Sequence, residues 1–136
     1  MLRIFMLWSG RATEPAANVV AALHERRRPE GVREIPTRVL THHVRHHEVF
    51  DGLEIVETED TVRAFGGGWD LTSDPLTRGT IWIQTDVHGD DAAMAAIRHL
   101  VQTWGLSVYD TTQKVFVPGP DESPAQAMTR DLFFTR

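Results

Sequence analysis

The 136-residue sequence contains no cysteine. Disulfides and thiolate-bound metal sites are therefore excluded, and nothing demands an oxidising compartment. Long apolar runs are also missing: the run at residues 4–8 is shorter than the roughly 7 to 15 apolar residues of a secretory signal. Membrane-spanning helices need about 20 such residues. We expect a soluble, cytoplasmic protein without a membrane partner.

Positive charge is scarce, since the formal net charge is -5 and Lys114 is the only lysine. Nucleic-acid affinity depends on Lys and Arg side chains that neutralise phosphates, so we predict no nucleic-acid partner. Acidic residues are concentrated between positions 51 and 60: Asp51, Glu54, Glu57, Glu59 and Asp60. An acidic surface attracts basic partners.

The length favours one domain. We assign residues 1–120 to a single α/β domain and residues 121–136 to a C-terminal tail or short helix. Pro118 to Pro120 would separate the tail from the sheet, and Ser123-Pro124 could begin its helix. The adjacent Phe133 and Phe134 suggest that the tail docks on the domain itself or on a partner.

The N-terminal segment predicts a strand followed by a helix. Residues 2–8 are apolar on both faces, which is typical of a central strand. A helix from Thr13 to Arg28 follows, with Thr13 as its N-cap and Pro29 as its stop. Its apolar stripe consists of Ala16, Val19, Val20 and Leu23.

A β-hairpin is predicted next. Residues 35–50 are rich in β-branched side chains, Asp51-Gly52 is a strong hairpin-turn signal, and residues 53–58 would form the return strand. This register places His46 opposite Glu57 and His43 opposite Asp60. Residues 66–78, with three glycines and a proline, are predicted to form a loop.

The segment from Gly79 to Val117 gives the clearest pattern: a strand, a helix over 90–104, and two short strands. The buried stripe of the helix consists of Ala93, Ile97, Leu100, Val101 and Trp104, and Gly105 fits the left-handed position after it. Together these patterns predict an α+β fold, a ferredoxin-like split βαβ sandwich with an inserted β-hairpin and a C-terminal helical tail. Both helices would cover one sheet face, which leaves the other for a partner.

The most unusual motif is the histidine-rich run at residues 42–47. On a helix, His42 and His46, or His43 and His47, would share a face and could chelate a divalent metal ion. On a strand the same pairs lie about 13 Å apart, given a rise of roughly 3.3 Å per residue. The strand prediction favours a solvated face opposite acids, with metal binding at His42 and His46 or general-base duty as alternatives.

A candidate binding site follows from the hairpin register. It comprises His43, His46, His47, Glu57, Asp60 and Trp69, with Trp82 as a second wall. No catalytic signature such as a nucleophile elbow or HExxH is present in the sequence. Gly66 to Gly68 lacks the features of a phosphate-binding loop, and Asp90 and Asp91, near His88, are explained as helix-start residues. We therefore favour a non-enzymatic protein without a cofactor.

The segment from Thr80 to Asp110, which contains AIRHLVQTWGLSVYD, resembles the C-terminal end of a loose group of small uncharacterised bacterial α/β proteins. Those chains open with a strand that ends in Trp, as Leu2 to Trp8 does here, and they close on Tyr-Asp-Pro-Gln. This chain has Tyr109-Asp110-Thr-Thr-Gln113 instead. The resemblance implies an α/β fold and transfers no site, and some members are suspected immunity proteins.

These observations lead to three functional hypotheses. The first is a protein-binding domain, most specifically an immunity or antitoxin-like protein. The second is a small enzyme or ligand-binding domain that uses the open sheet face. The third is metal binding by the histidines, and self-association is compatible with all three.

Overall fold

The computed structural model describes residues 2–10 and 16–116, which form eight strands and three α-helices. The helices are α1 (Ala16–His24), α2 (Thr37–His46) and α3 (Asp90–Trp104), and a short 3₁₀ helix spans Glu48–Phe50. The strands are β1 (Arg3–Gly10), β2 (Val32–Arg33), β3 (Glu54–Glu57), β4 (Val62–Gly66), β5 (Trp69–Ser73), β6 (Thr80–Thr85), β7 (Ser107–Asp110) and β8 (Val115–Phe116). Thr13 and the segment 121–136 lie outside the described residues.

Seven strands form a sheet in the order β3-β4-β5-β6-β1-β7-β8, and β2 pairs with the end of β1. The described pairings are antiparallel, so β6 and β7 run parallel to each other on either side of β1. Phe5 of β1 lies opposite Ile83 on one side and Asp110 on the other. The prediction of a central first strand is confirmed, and α3 provides the crossover between β6 and β7.

Alternate residues of β1 enter two separate cores. Phe5 and Leu7 belong to the larger core, with residues of α2 and α3. Met6 and Trp8 belong to the smaller core, with residues of α1. The α+β class is confirmed, but α1 and α3 cover opposite faces of the sheet, so the prediction that both helices cover one face is wrong.

The predicted hairpin at Asp51-Gly52 is also wrong, because residues 37–46 form α2 rather than a strand. Leu40 and Val44, four residues apart, are both fully or almost fully buried, whereas positions 38, 42, 45 and 46 are exposed. This spacing is helical. The β-branched residues suggested a strand, but tertiary burial of one helical face decides the structure. Consequently β3 pairs with β4 and not with the histidine segment.

The segment 66–78 is not a loop throughout, since it contains β5. Gly66, Gly67 and Gly68 make the turn between β4 and β5 and have φ values of 148°, 60° and 91°. Gly68 also packs closely against the start of α3: a Cβ atom there would lie 2.5 Å from Asp86 Oδ1 and 2.8 Å from Gly89 N. The turn therefore depends on glycine both for its backbone conformation and for this contact.

The prediction for α3 is confirmed. Ala93, Ile97 and Leu100 are buried in the larger core, and Gly105, with φ of 64°, donates its N–H to Val101 O at 2.9 Å. Helix α1 ends at His24, short of the predicted Arg28, and Arg26 has a left-handed φ of 62°. The prediction of its C-terminus is therefore wrong by four residues.

Two buried carboxylates stabilise the turns that follow β5 and β7. Asp74 accepts hydrogen bonds from Leu76 N at 2.9 Å and Thr77 N at 3.4 Å. It also accepts from Trp82 Nε1 at 3.4 Å and pairs with Arg26 at 3.0 Å. Asp110 likewise accepts from Thr112 N and Gln113 N and pairs with Arg3. Each carboxylate satisfies turn N–H groups and a guanidinium together.

Candidate functional site

Of the helices in residues 16–116, α2 and α3 cover one face of the part of the sheet formed by β3, β4 and β5, and none covers its other face. Val62, Ala64 and Leu71 point into the larger core beneath α2 and α3. The alternate residues point the other way, and none of them belongs to either core of the described chain. We call this surface the open face; it consists of Glu54, Val56, Arg63, Phe65, Asp70 and Thr72.

Strand register orders the side chains of the open face. Phe65 lies opposite Glu54 on one side and Asp70 on the other. The Arg63 guanidinium lies 4.4 Å from the centre of the Phe65 ring, and its Nη2 is 3.1 Å from Asp70 Oδ2. Val56 remains 48% exposed. The open face thus combines apolar patches with charged groups at fixed positions.

A shallow hollow of about 270 Å³ continues the open face toward β6 and the N-terminus. Phe65, Asp70, Gln84 and the half-exposed Leu2 are among the residues that line it. Apolar side chains with a few polar groups around them are common in binding surfaces. The hollow therefore extends the area on which a partner could rest.

Among the described strands, β3 is the last one on the side of the sheet that carries the open face, and its border is acidic. Five exposed acids lie in β3 or in the segments next to it and form no ion pair with any described residue: Glu48, Asp51, Glu54, Glu59 and Asp60. We call them the acidic edge. Glu57 is different, because it lies 3.8 Å from Arg45 of α2. The uncompensated charge of the acidic edge is available to a basic partner.

The structure separates the predicted binding residues. Trp69 is almost fully buried in the larger core, where its ring lies 6.4 Å from that of Phe50, and it also contributes to the lining of the shallow hollow. His46 is exposed on α2, and Asp60 is exposed in the segment between β3 and β4. The predicted pairs of His46 with Glu57 and His43 with Asp60 do not form, because β4 occupies the place of the predicted partner strand.

Two of the predicted residues, His43 and His47, do come together, and His99 of α3 joins them. We call these three the histidine cluster. His43 Nε2 and His99 Nε2 are 2.6 Å apart. Their ring centres are 4.8 Å apart and their planes differ by 6°, so the rings meet end to end in a hydrogen bond. The ring of His47 stacks on that of His99 with centres 3.7 Å apart.

Aromatic rings and burial determine the electrostatics of the histidine cluster. The ring centre of His43 is 5.0 Å from that of Trp104 and 5.9 Å from that of Phe50. Burial lowers the pKa of His43, and the neighbouring His99, His47 and His42 lower it further. Burial and then His47 lower the pKa of His99. Both imidazoles are therefore predominantly neutral near pH 7.

The tautomer of His47 follows from its backbone contact. Its Nδ1 accepts a hydrogen bond from Val49 N at 3.1 Å. A neutral imidazole that accepts at Nδ1 carries its proton at Nε2. His47 therefore presents an N–H group at its Nε2 end and its ring face to His99.

The helical spacing also brings His42 and His46 onto one exposed face of α2, with ring centres 4.4 Å apart. This is the arrangement that chelation by a helical pair would need. Across the described ranges 2–10 and 16–116, no three His, Asp or Glu side chains are grouped to hold one metal ion.

Sequence reasoning missed His99. It lies on the predicted helix beside the buried Leu100, and nothing in its spacing connects it to residues 42–47. Only the packing of α2 and α3 on the same sheet face brings it to His43. A prediction of α2 as a helix would have been the first step toward finding it.

Comparisons with protein-family models, with curated proteins and with solved structures find no match to this chain. Within the described part of the chain, each helix is too short or too polar to cross a membrane. The open face, the acidic edge and the histidine cluster are the features of the described residues that bear on function.

Proposed function

We propose that this chain is a non-enzymatic protein-binding domain whose partner is a basic protein. Its most specific form is an immunity or antitoxin-like protein that neutralises a basic toxin. The observation that carries the proposal is the acidic edge beside the open face, because it joins unpaired charge to partly exposed apolar side chains such as Val56 and Phe65. Interfaces combine an apolar centre with a charged or polar rim in this way.

The charge supports a basic partner. Acidic residues around a binding surface accelerate encounter with a positively charged protein and disfavour acidic competitors. The position of β3 at the end of the sheet adds backbone N–H and C=O groups that a partner strand could pair with. Resemblance to a group with suspected immunity proteins is consistent with a partner of this kind.

Charge reversal on the acidic edge tests the proposal. The variant E54K/D60K changes two exposed acids of the acidic edge, and E25K/E30K changes two exposed acids elsewhere. Both variants alter the net charge equally. We expect the wild-type protein and E25K/E30K to capture the same basic protein from extracts of the source cell, and E54K/D60K to lose it.

Two further measurements complete the test. The captured protein, produced separately, should bind the wild-type chain with an affinity that falls as salt rises. If it is toxic, coexpression of the wild-type chain should restore growth and E54K/D60K should not. Capture of nothing, or equal capture by both variants, would refute the proposal.

A further inference from the structure

We propose that His43 and His99 form a two-imidazole site for a divalent transition-metal ion, which would link α2 to α3. Their Nε2 atoms approach to 2.6 Å from two different helices. Imidazole nitrogen is a preferred ligand of zinc, copper and nickel. The site is independent of the acidic edge and of the proposed function.

The distance between the two nitrogens is close to what one ion would require. Two nitrogens bound to one tetrahedral zinc ion at about 2.0 to 2.1 Å lie about 3.3 Å apart. The rings must therefore separate by roughly 0.7 Å, and each must turn by about 35° so that both lone pairs point at one ion beside the line between the nitrogens. Side-chain rotation of the partly buried rings can supply both changes. Both residues are only partly buried, so an ion can reach them from solvent.

The protonation state suits metal binding. A metal-binding imidazole must present a lone pair, and the lowered pKa values of His43 and His99 favour neutral rings at neutral pH. In the hydrogen bond one Nε2 carries a proton and the other accepts it. When the ion binds, the donor ring moves its proton to Nδ1, so two neutral rings bind the ion without net proton release.

His47 has a different role in this site. Its Nδ1 is engaged by the Val49 N–H, which leaves a proton on Nε2. It therefore acts as a wall that stacks on His99 and not as a ligand. This assignment agrees with the lack of a three-ligand group in the described residues, and solvent would complete the coordination of the ion.

The exposed pair His42 and His46 is the main competing site, and the experiment must separate the two. The untagged full chain is titrated with copper, nickel and zinc chlorides by calorimetry, about one pH unit above the ordinary imidazole pKa. We expect one ion per chain for the wild type and for H42Q/H46Q. H43Q and H99Q should weaken binding at least roughly tenfold, whereas the distant exposed H88Q should not.

Copper is expected to bind most tightly of the three. Binding should also raise the midpoint of thermal unfolding of the wild type and of H42Q/H46Q, but not that of H99Q. Circular dichroism checks that each variant is folded. Imidazole resonances of the wild-type protein provide a readout without any variant, since zinc should shift those of His43 and His99 most.

Several outcomes would overturn the proposal. One is the absence of binding tighter than about 100 μM for all three ions. Another is loss of binding in H42Q/H46Q with retention in H99Q, which would place the ion on the exposed pair. Shifts of the His42 and His46 resonances with those of His43 and His99 unchanged would lead to the same rejection.

Discussion

The two halves of the sheet differ in how many of their faces are covered. In β1 the consecutive residues Phe5, Met6, Leu7 and Trp8 are all buried, because helices pack on both faces. In β4, Val62 and Ala64 are buried but Arg63 between them is exposed. Continuous apolar strands therefore mark the covered half and alternation marks the open half. This difference places the candidate binding surface on β3, β4 and β5.

The sharpest test of this comparison replaces one phenylalanine in each half. F5A should reduce the free energy of unfolding by about 3 to 5 kcal/mol, since Phe5 is fully buried in the larger core. F65A should cost about 1 kcal/mol or less, because Phe65 lies on the open face and loses mainly its contact with Arg63. Urea unfolding measures both. Equal losses of free energy would show that Phe65 is packed as tightly as Phe5, and they would contradict the difference between the two halves.

The turn that joins β4 to β5 gives the next largest effect. G68A places a methyl group 2.5 Å from Asp86 Oδ1 and 2.8 Å from Gly89 N, and we expect a loss of roughly 2 to 4 kcal/mol. G67A is the matched control, since its Cβ meets nothing within 4 Å although φ is 60°. It should cost about 1 kcal/mol. If the two variants have the same midpoint of thermal unfolding, the close contact at Gly68 is contradicted.

Two aspartates near β5 provide a third contrast. D74N removes the charge that pairs with Arg26 and receives hydrogen bonds from Leu76 N and Trp82 Nε1. Because Asp74 is buried, we expect a loss of about 1 to 3 kcal/mol in chemical unfolding. D70N breaks the exposed pair with Arg63 and should cost less than about 1 kcal/mol. A larger loss for D70N would refute this ranking.

The smallest expected effect is a dependence of the free energy of unfolding on pH. It arises from the histidine cluster, which lies on the helix-covered face of β3, β4 and β5. The folded pKa values of His43 and His99 are below their ordinary value, so the unfolded chain binds protons more readily. Their contribution to stability is complete above about pH 6.5 and is lost as pH falls through the folded values. Urea midpoints in the presence of chelator measure this loss.

The matched control for this pH dependence is H88Q, whose side chain lies away from the cluster. H99Q should flatten the fall in stability between about pH 7 and pH 5, and H88Q should leave it unchanged. The same slope in H99Q and the wild type would mean that other groups cause the dependence. His47, which lowers the pKa of both imidazoles, and His42, which lowers that of His43, are the neighbouring groups that would then be substituted.

The elements predicted correctly from the sequence are those in which local propensity and tertiary packing favour the same structure. In α3, the buried stripe of Ala93, Ile97 and Leu100 coincides with good helix formers and with Gly105 at its end. In α2 the preferences conflict: Val39, Thr41 and Val44 are β-branched, yet burial of Leu40 and Val44 requires a helix. This wrong prediction led to a second one. Because residues 35–50 were predicted to form a strand, β3 was predicted to pair with the histidine segment and not with β4.

The candidate site was predicted only in part for the same reason. The acidic run at 51–60 could be recognised from composition, since surface charge needs no packing information. The open face required the register that places Phe65 between Glu54 and Asp70, and the histidine cluster required the approach of α3 to α2. Contacts between distant segments are not encoded in local spacing.

The central position of β1 has a consequence for synthesis on the ribosome. Residues 3–10 are translated well before the two strands that flank them in the sheet, which span residues 80–85 and 107–110. The apolar segment Phe5 to Trp8 therefore cannot pair on both sides until residue 110 has been translated. Such long-range pairing slows folding, and the unpaired apolar strand can aggregate until its partner strands are available. Nascent chains of this protein should thus depend on chaperones that bind exposed apolar segments.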